Sequence, residues 1–393
     1  MVFPRIAVRS VMLKIMKFLR KDPIQKLIRL FIVMLITIAT FGCTEVTPTD
    51  GSLKPIPETS TADGDTPESS KTEIPTSEIS SHGNIITYET ASSLAVAKTL
   101  EQQGATDFVW ASDKELEAKG LAVSSEEQVV YLSVDPQSTA GQIPERHPVM
   151  LTSALFEPTI AWKNAENNIR VWDLTDENEL LALPVGGEAL TSLSLSSSGD
   201  LLALSTYENR VEIWDISGKK LVRNLNAPVW LSNLDFSPDE SHLAGVEPPN
   251  FKVRIFNLSD GSEVKSITWT DHASPALYGT YFSPDWTKIA WVARGAVQIM
   301  YASDGNLGPL LNHEDFVSTV AWAPDSITFA SSAAGMINGD FAPLVYLWNA
   351  MTGDLIETLI LTEPVTSMSF SPDGKELAVL SIDGKIQVWT VQE

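Results

Sequence analysis

A single cysteine, Cys43, stands among 393 residues. It has no partner for an intramolecular disulfide, and it excludes a metal site built on several thiolates. Basic residues are scarce: 27 Lys and Arg face 50 Asp and Glu, for a formal net charge of -23. A nucleic-acid surface needs clustered Lys and Arg to neutralise phosphates, so that class is excluded too. The five histidines, His82, His147, His242, His272 and His313, are far apart and lack ligand spacing. There is no G-x-S-x-G, no H-E-x-x-H and no Gly-rich loop ending in Gly-Lys-Ser/Thr. The expectation is a protein without enzymatic activity, metal or cofactor. Tryptophan, by contrast, is abundant: 11 copies, all between Trp110 and Trp389.

Charge divides the chain into three parts. Residues 1–42 hold eight basic residues and one acid, Asp22, and end in the uncharged run LFIVMLITIATFG at 30–42. Thirteen residues suit the apolar core of a secretory signal better than a spanning helix, which needs about 20. Met12 and Met16 are alternative starts that would shorten a long basic region. The run stops at Cys43 and resembles a bacterial lipoprotein signal. Gly42 fits the small residue expected before the cysteine, while Phe41 and Thr40 depart from the pattern. The resemblance implies that Cys43 is lipidated with palmitate-type chains and becomes the mature N-terminus. It also implies that the protein sits in the cell envelope, on the periplasmic or surface side of a membrane. An Asp after the cysteine would have implied inner-membrane retention; Thr44 stands there instead.

Residues 43–84 read as a tether. From Thr44 onward they hold 15 Ser/Thr, five Pro, eight acids and two lysines, with no aromatic residue. Such a segment cannot bury enough apolar surface to offset its ordering entropy and is expected to be disordered. The DGD at 63–65 lacks the further ligands of a calcium loop and reads as solvated acids.

Residues 85–393 are a repeat. Alternating apolar strands end on Tyr131, Trp172, Trp214, Phe256, Met300, Trp348 and Trp389, at spacings of 41, 42, 42, 44, 48 and 41. Tight turns precede several of them: FSPDE at 236–240, FSPDW at 282–286, WAPDS at 322–326 and FSPDG at 370–374. Four short strands per repeat of about 42 residues describe a propeller blade. With VWD at 171–173 and IWD at 213–215, these repeats resemble the WD-repeat family. The resemblance implies an all-β fold: a seven-bladed β-propeller of four-stranded antiparallel blades. The last repeat lacks its outer strand, and SLAVAKTL at 93–100 is expected to supply it and close the ring.

The repeats also depart from that family. Typical blades hold a buried hydrogen-bonded set of His, Ser/Thr, Asp and Trp. Here the Asp position is Asp only at Asp383, with Ser381 and Trp389, and only Asn312-His313 and Asp271-His272 approximate the usual Gly-His pair. The blades are therefore expected to rely on apolar packing, with the seven aromatic or Met positions structural. The resemblance further implies that partners dock around the loops entering the innermost strands. Met150, Trp230, Tyr278 and Phe316 enter at matching register and form either a contact patch or packing between blades. The insertion SSAAGMINGDFAPL at 331–344 lengthens blade six. The expected function is a membrane-anchored, exported platform for protein–protein interaction or a subunit of an envelope complex, with a monomeric head. The alternative is a propeller enzyme or small-ligand sensor using the central channel.

Overall fold

The computed structural model describes residues 85–392 apart from 113–118, 135–137, 187–188, 249–251, 270–276 and 338. Residues 1–84, expected to be a signal and tether and including Cys43, His82 and the DGD at 63–65, lie outside the described residues, as does His272. Among the described residues are seven four-stranded antiparallel sheets, one per repeat. Blade one spans 105–144, blade two 149–184, blade three 190–226, blade four 232–268, blade five 277–312 and blade six 317–360. Blade seven combines 365–391 with the N-terminal strand Leu94–Glu101. That strand pairs antiparallel with Lys385–Val391, from Leu94 opposite Val391 to Glu101 opposite Lys385. The ring therefore closes with the segment that its composition singled out.

The pattern of each strand follows from its position in the blade. The second strand of a blade is covered on both faces by neighbouring blades and reads as a continuous apolar run: Leu201–Thr206, Lys288–Ala293 and Glu376–Ser381 are buried almost throughout. The outer strands Lys220–Asn226 and Glu263–Thr268 have mostly exposed residues. Bulges recur at fixed places. In all seven blades the register between the first two strands shifts near the start of the innermost strand. In blades one to six a second shift falls at or beside the repeat's aromatic or Met position, between the third and fourth strands. A bulge strengthens local twist, which each blade needs to fan outward from the axis.

The Ser-Pro-Asp turns fold by local chemistry. The hydroxyls of Ser237, Ser283 and Ser371 donate to Asp239, Asp285 and Asp373 at 2.6, 2.6 and 2.8 Å. Each carboxylate then accepts a backbone N–H two residues on. The residue after the Asp is left-handed, yet only Gly374 is glycine; Glu240, Trp286 and Ser326 have φ of 55°, 58° and 59°. All three of these strained residues link blades, Trp286 through its Nε1, which donates to Asp235 of blade four. The Glu240 carboxylate accepts from Ser198 N and Oγ at 2.6 and 2.9 Å, and Ser326 Oγ accepts from Asp285 N at 3.1 Å.

The apolar core lies between the blades. Its seven buried clusters each join two adjacent blades. Leu100, in the closing strand, packs with Phe108, Trp110 and Leu121 of blade one, while Leu94 packs against the blade six–seven cluster. Leu100→Ala is therefore expected to cost about 3 kcal/mol. Chemical denaturation followed by tryptophan fluorescence should show one cooperative transition at lower denaturant, with blade seven not unfolding first.

Candidate binding surface

At one face of the ring, in blades two, three, six and seven, the loop entering the innermost strand meets the hairpin between the second and third strands of the same blade. Backbone bonds tie Ala165 N to Arg146 O, Tyr207 N to Ala189 O and Ile382 N to Pro364 O. In blade six a carboxylate does this: Glu314 Oε2 accepts from Met336 N at 2.9 Å.

The four residues expected to enter this face together are dispersed. Met150 sits at the blade-two bulge with φ of 56° and lines the central channel. Trp230 is half-buried and packs at 4.8 Å on Tyr207, which is exposed. Phe316 is exposed and lines a groove on blade six. Tyr278 lies in the innermost strand Leu277–Phe282 of blade five, and its side chain lies outside the described residues. Of the seven repeat positions, Tyr131, Phe256, Met300, Trp348 and Trp389 are buried, while Trp172 and Trp214 are half-buried against neighbouring clusters.

Polar sets that differ from blade to blade add to the apolar packing between blades. In blade six His313 Nε2 lies 2.6 Å from Ser331 Oγ, and the same hydroxyl accepts from Trp348 Nε1 at 2.8 Å. In blade two Glu145 accepts from Trp162 Nε1 and Asn164 Nδ2, both at 3.3 Å, and from Arg170 at 3.1 Å. In blade three Glu212 accepts from Trp214 Nε1 at 2.8 Å and from Arg210. In blade four Arg254 bridges Glu247 and Glu263, each at 2.6 Å. In blade seven Asp383, the one Asp at the family position, takes no part in such a set. Its carboxylate turns outward to Lys385 Nζ at 2.7 Å, and the buried Trp389 N–H meets no acceptor among the described residues. A lysine two residues away competes for the carboxylate in solvent, where holding the charge costs less than in the interior.

An open recess of about 550 Å³ in the central channel is lined by residues of blades two to six, among them Met150, Asn233, Asp235, Tyr281 and Trp322. Removal from water pushes the Asp235 carboxyl up to about 6, although Trp286 Nε1 donates to it at 3.0 Å. Asp107 is likewise raised, mainly by burial. Burial also raises the Tyr281 phenol, and the charge of Asp107 adds to this. Among the described residues no group of three His, Cys, Asp or Glu is placed to hold a metal ion.

The blade-six insertion folds as a ribbon rather than a loose loop. Its strands Thr328–Ile337 and Asp340–Asn349 stay paired out to Ile337 and Asp340, with Gly339 at φ of 93° in the turn. A Cβ at Gly335 would meet Tyr346 Oη at 2.5 Å and Leu344 at 2.6 Å, so only glycine lets Tyr346 cross the ribbon. Tyr346 and Trp348 both pack their rings against His313, at 5.2 and 5.3 Å. Phe341 is 72% exposed and Met336 is 45% exposed. Phe316, Phe341, Pro343, Pro364 and Val365 line an open groove of about 290 Å³.

Comparison with known proteins places this geometry. The profile of the WD domain, G-beta repeat (WD40) matches residues 354–390, which run from the outer strand of blade six through blade seven. The chain is a seven-bladed propeller carrying a WD40 repeat. Among curated proteins it is similar to the periodic tryptophan protein 2 homolog of Schizosaccharomyces pombe, 35% identical over 88 residues, 22% of this chain and 10% of that one. An uncharacterized WD repeat-containing protein of Synechocystis is 29% identical over 151 residues, 37% and 42% of the two chains. The WD repeat-containing protein slp1 of S. pombe is 24% identical over 238 residues, 57% and 46%. The chain thus spans less than half the length of these relatives. Among solved structures, the Cps50 (Swd1) β-propeller domain of Myceliophteria thermophila superposes with a TM-score of 0.62 at 13% identity, over 76% of this chain and all of that one. That likeness is one of fold. Propellers of this repeat generally serve as non-catalytic scaffolds.

Two pH effects follow, of opposite sign. Burial lowers folded His313 to about 4, below the ordinary 6.5, so between these values the unfolded chain holds more protons. Stability from His313 is complete above about pH 6.5 and declines as the pH falls towards 4. Asp235 is raised from 3.8 to about 6, so its folded form holds the extra proton, and its contribution declines as the pH rises through that window. Urea denaturation between pH 4 and 7.5 should show a flatter acid-side decline in His313→Gln, and in Asp235→Asn no loss of stability between pH 4 and 6 from that site. Ser331→Ala, which leaves His313 Nε2 and Trp348 Nε1 without their partner, is expected to cost about 2 kcal/mol at pH 7.5 in the same assay.

Proposed function

We propose that this protein is an exported, lipid-anchored propeller that holds a protein-binding face away from a membrane. Cys43 is the proposed attachment point and residues 44–84 the spacer. The head would lie on the periplasmic or surface side of the cell envelope, working alone or within an envelope complex. The observation that carries the binding reading is the exposure of large apolar side chains around the loops of one face. Phe341, Met336 and Phe316 stand there on blade six and Tyr207 on blade three, where the half-buried Trp230 packs against it. Aromatic side chains of this kind anchor interfaces because they bury much area for little lost entropy. The strongly acidic head, 17 basic against 41 acidic residues over 85–393, is poorly suited to lie on anionic lipid, which leaves membrane attachment to acyl chains.

A second reading rests on the channel recess, which Asp235 lines together with Asn233, Tyr281 and Trp322, and where burial raises the Asp235 carboxyl. A small cationic ligand would satisfy such a site.

Affinity capture from envelope extract with the full chain separates the two readings. A stable partner lost on the double substitution Phe316→Ser and Phe341→Ser supports the platform. No partner, together with thermal stabilisation by a small amine that Asp235→Asn abolishes, supports the channel. Metabolic labelling with palmitate should mark the wild-type chain and not Cys43→Ser; equal labelling of the two removes the anchor.

A further inference from the structure

Between Arg294 and Lys375 lie 80 consecutive residues without a lysine or arginine, and with nine acids. The stretch includes all of blade six, its ribbon and the loop leading into it. The repeat phase does not require this, since the other blades carry basic residues on their strands and turns, such as Arg210, Lys220 and Lys252. The acids gather where the apolar groups are exposed. Glu314 and Asp315 immediately precede Phe316, Asp340 precedes Phe341, and Glu363 precedes Pro364. Among the described residues no ion pair joins Glu314, Asp315, Asp340 or Glu363 to a cation. Lys385 is within reach of the Glu363 charge, but Asp383 already holds it at 2.7 Å.

The groove is also rigidly presented. Glu314 ties the incoming loop to Met336, Tyr346 and Trp348 pack on His313 at the ribbon base, and Gly335 allows that packing. A preorganised surface loses little entropy on binding. Its volume of about 290 Å³ is at the small end for ligand sites, and its lining is aromatic, proline and aliphatic, which suits an inserted side chain. Ile382, 46% exposed, flanks it from blade seven through its bond to Pro364.

We infer that the blade-six ribbon and groove bind a segment of a partner protein that presents an aromatic or long aliphatic side chain flanked by lysines or arginines. This inference rests on the platform reading and specifies the partner's chemistry. The apolar anchor would enter the groove between Phe316 and Phe341, and the cations would face Glu314, Asp315, Asp340 and Glu363. A second copy of this chain fits poorly, because the same acidic surface would face itself. Buried anchors supply most of the affinity in such contacts, and the surrounding charges chiefly set partner choice, association rate and salt dependence.

The test is selection of a phage-displayed library of random dodecapeptides on the full chain, at low and at physiological salt. Enriched peptides should carry Phe, Trp or Leu between Lys or Arg. Their binding should fall about tenfold with Phe341→Ser and severalfold with Glu314→Gln plus Asp340→Asn. The acid-to-amide variant should also show a weaker salt dependence. All of these positions are exposed, so unchanged thermal unfolding of the variants keeps the comparison clean. The inference is overturned if the enriched peptides are acidic or neutral, if nothing is enriched, or if basic peptides bind Phe341→Ser undiminished. Concentration-dependent dimerisation through the ribbon, abolished by the same substitution, overturns it as well. A protein partner that still binds Phe341→Ser would leave the platform standing and remove this site from it.

Discussion

Every blade depends on its neighbours for its core. A single four-stranded blade has two apolar faces and no way to cover them alone. The seven buried clusters show the solution: each is assembled from the facing sides of two adjacent blades. This makes the closing strand the critical element. Leu94–Glu101 completes the sheet of blade seven and places Leu100 among the buried residues of blade one. It removes an exposed edge and joins the two ends of the ring. The interblade bonds from Glu240 to Ser198 and from Asp285 to Ser326 reinforce the same junctions at the turns, at the cost of left-handed backbone at Glu240 and Ser326.

Much of this architecture was legible in the repeat. The spacing of the aromatic positions counted the blades, the Ser-Pro-Asp turns marked the link between the first two strands, and the missing last strand pointed to 93–100. What could not be read was how polar groups are satisfied. Asp383 stands at the family's Asp position with Ser381 and Trp389, yet the neighbouring Lys385 draws it outward. Glu145 and Glu212 bear no resemblance to the usual residues but take the tryptophan N–H groups of blades two and three. Such choices depend on which side chains meet across strands, and a linear pattern does not encode that distance.

The proposed binding surface was half legible. Phe316 lies on it, whereas Met150, at the blade-two bulge with φ of 56°, lines the channel and packs against the cluster between blades two and three. The ribbon read as an insertion of unknown form. Its strand pairing follows from the uninterrupted register across Ala333–Leu344 to Ile337–Asp340. The missing signal was compositional: the absence of basic residues from 295 to 374 is visible in the chain and coincides with the exposed aromatics. A rigid ring can carry such an asymmetric surface because its stability is distributed over seven similar interfaces, none of which requires the ribbon tip.

The interdependence of the blades through the closing strand is the premise of the whole account, and native-state hydrogen exchange on the full chain tests it most directly. Amides of Leu94–Glu101 and of Lys385–Val391 should exchange with the same free energy as the second strands of blades one to six, by global unfolding. Exchange of Leu94–Glu101 at the low energy of a fraying terminus, with the rest of the ring still protected, would contradict it.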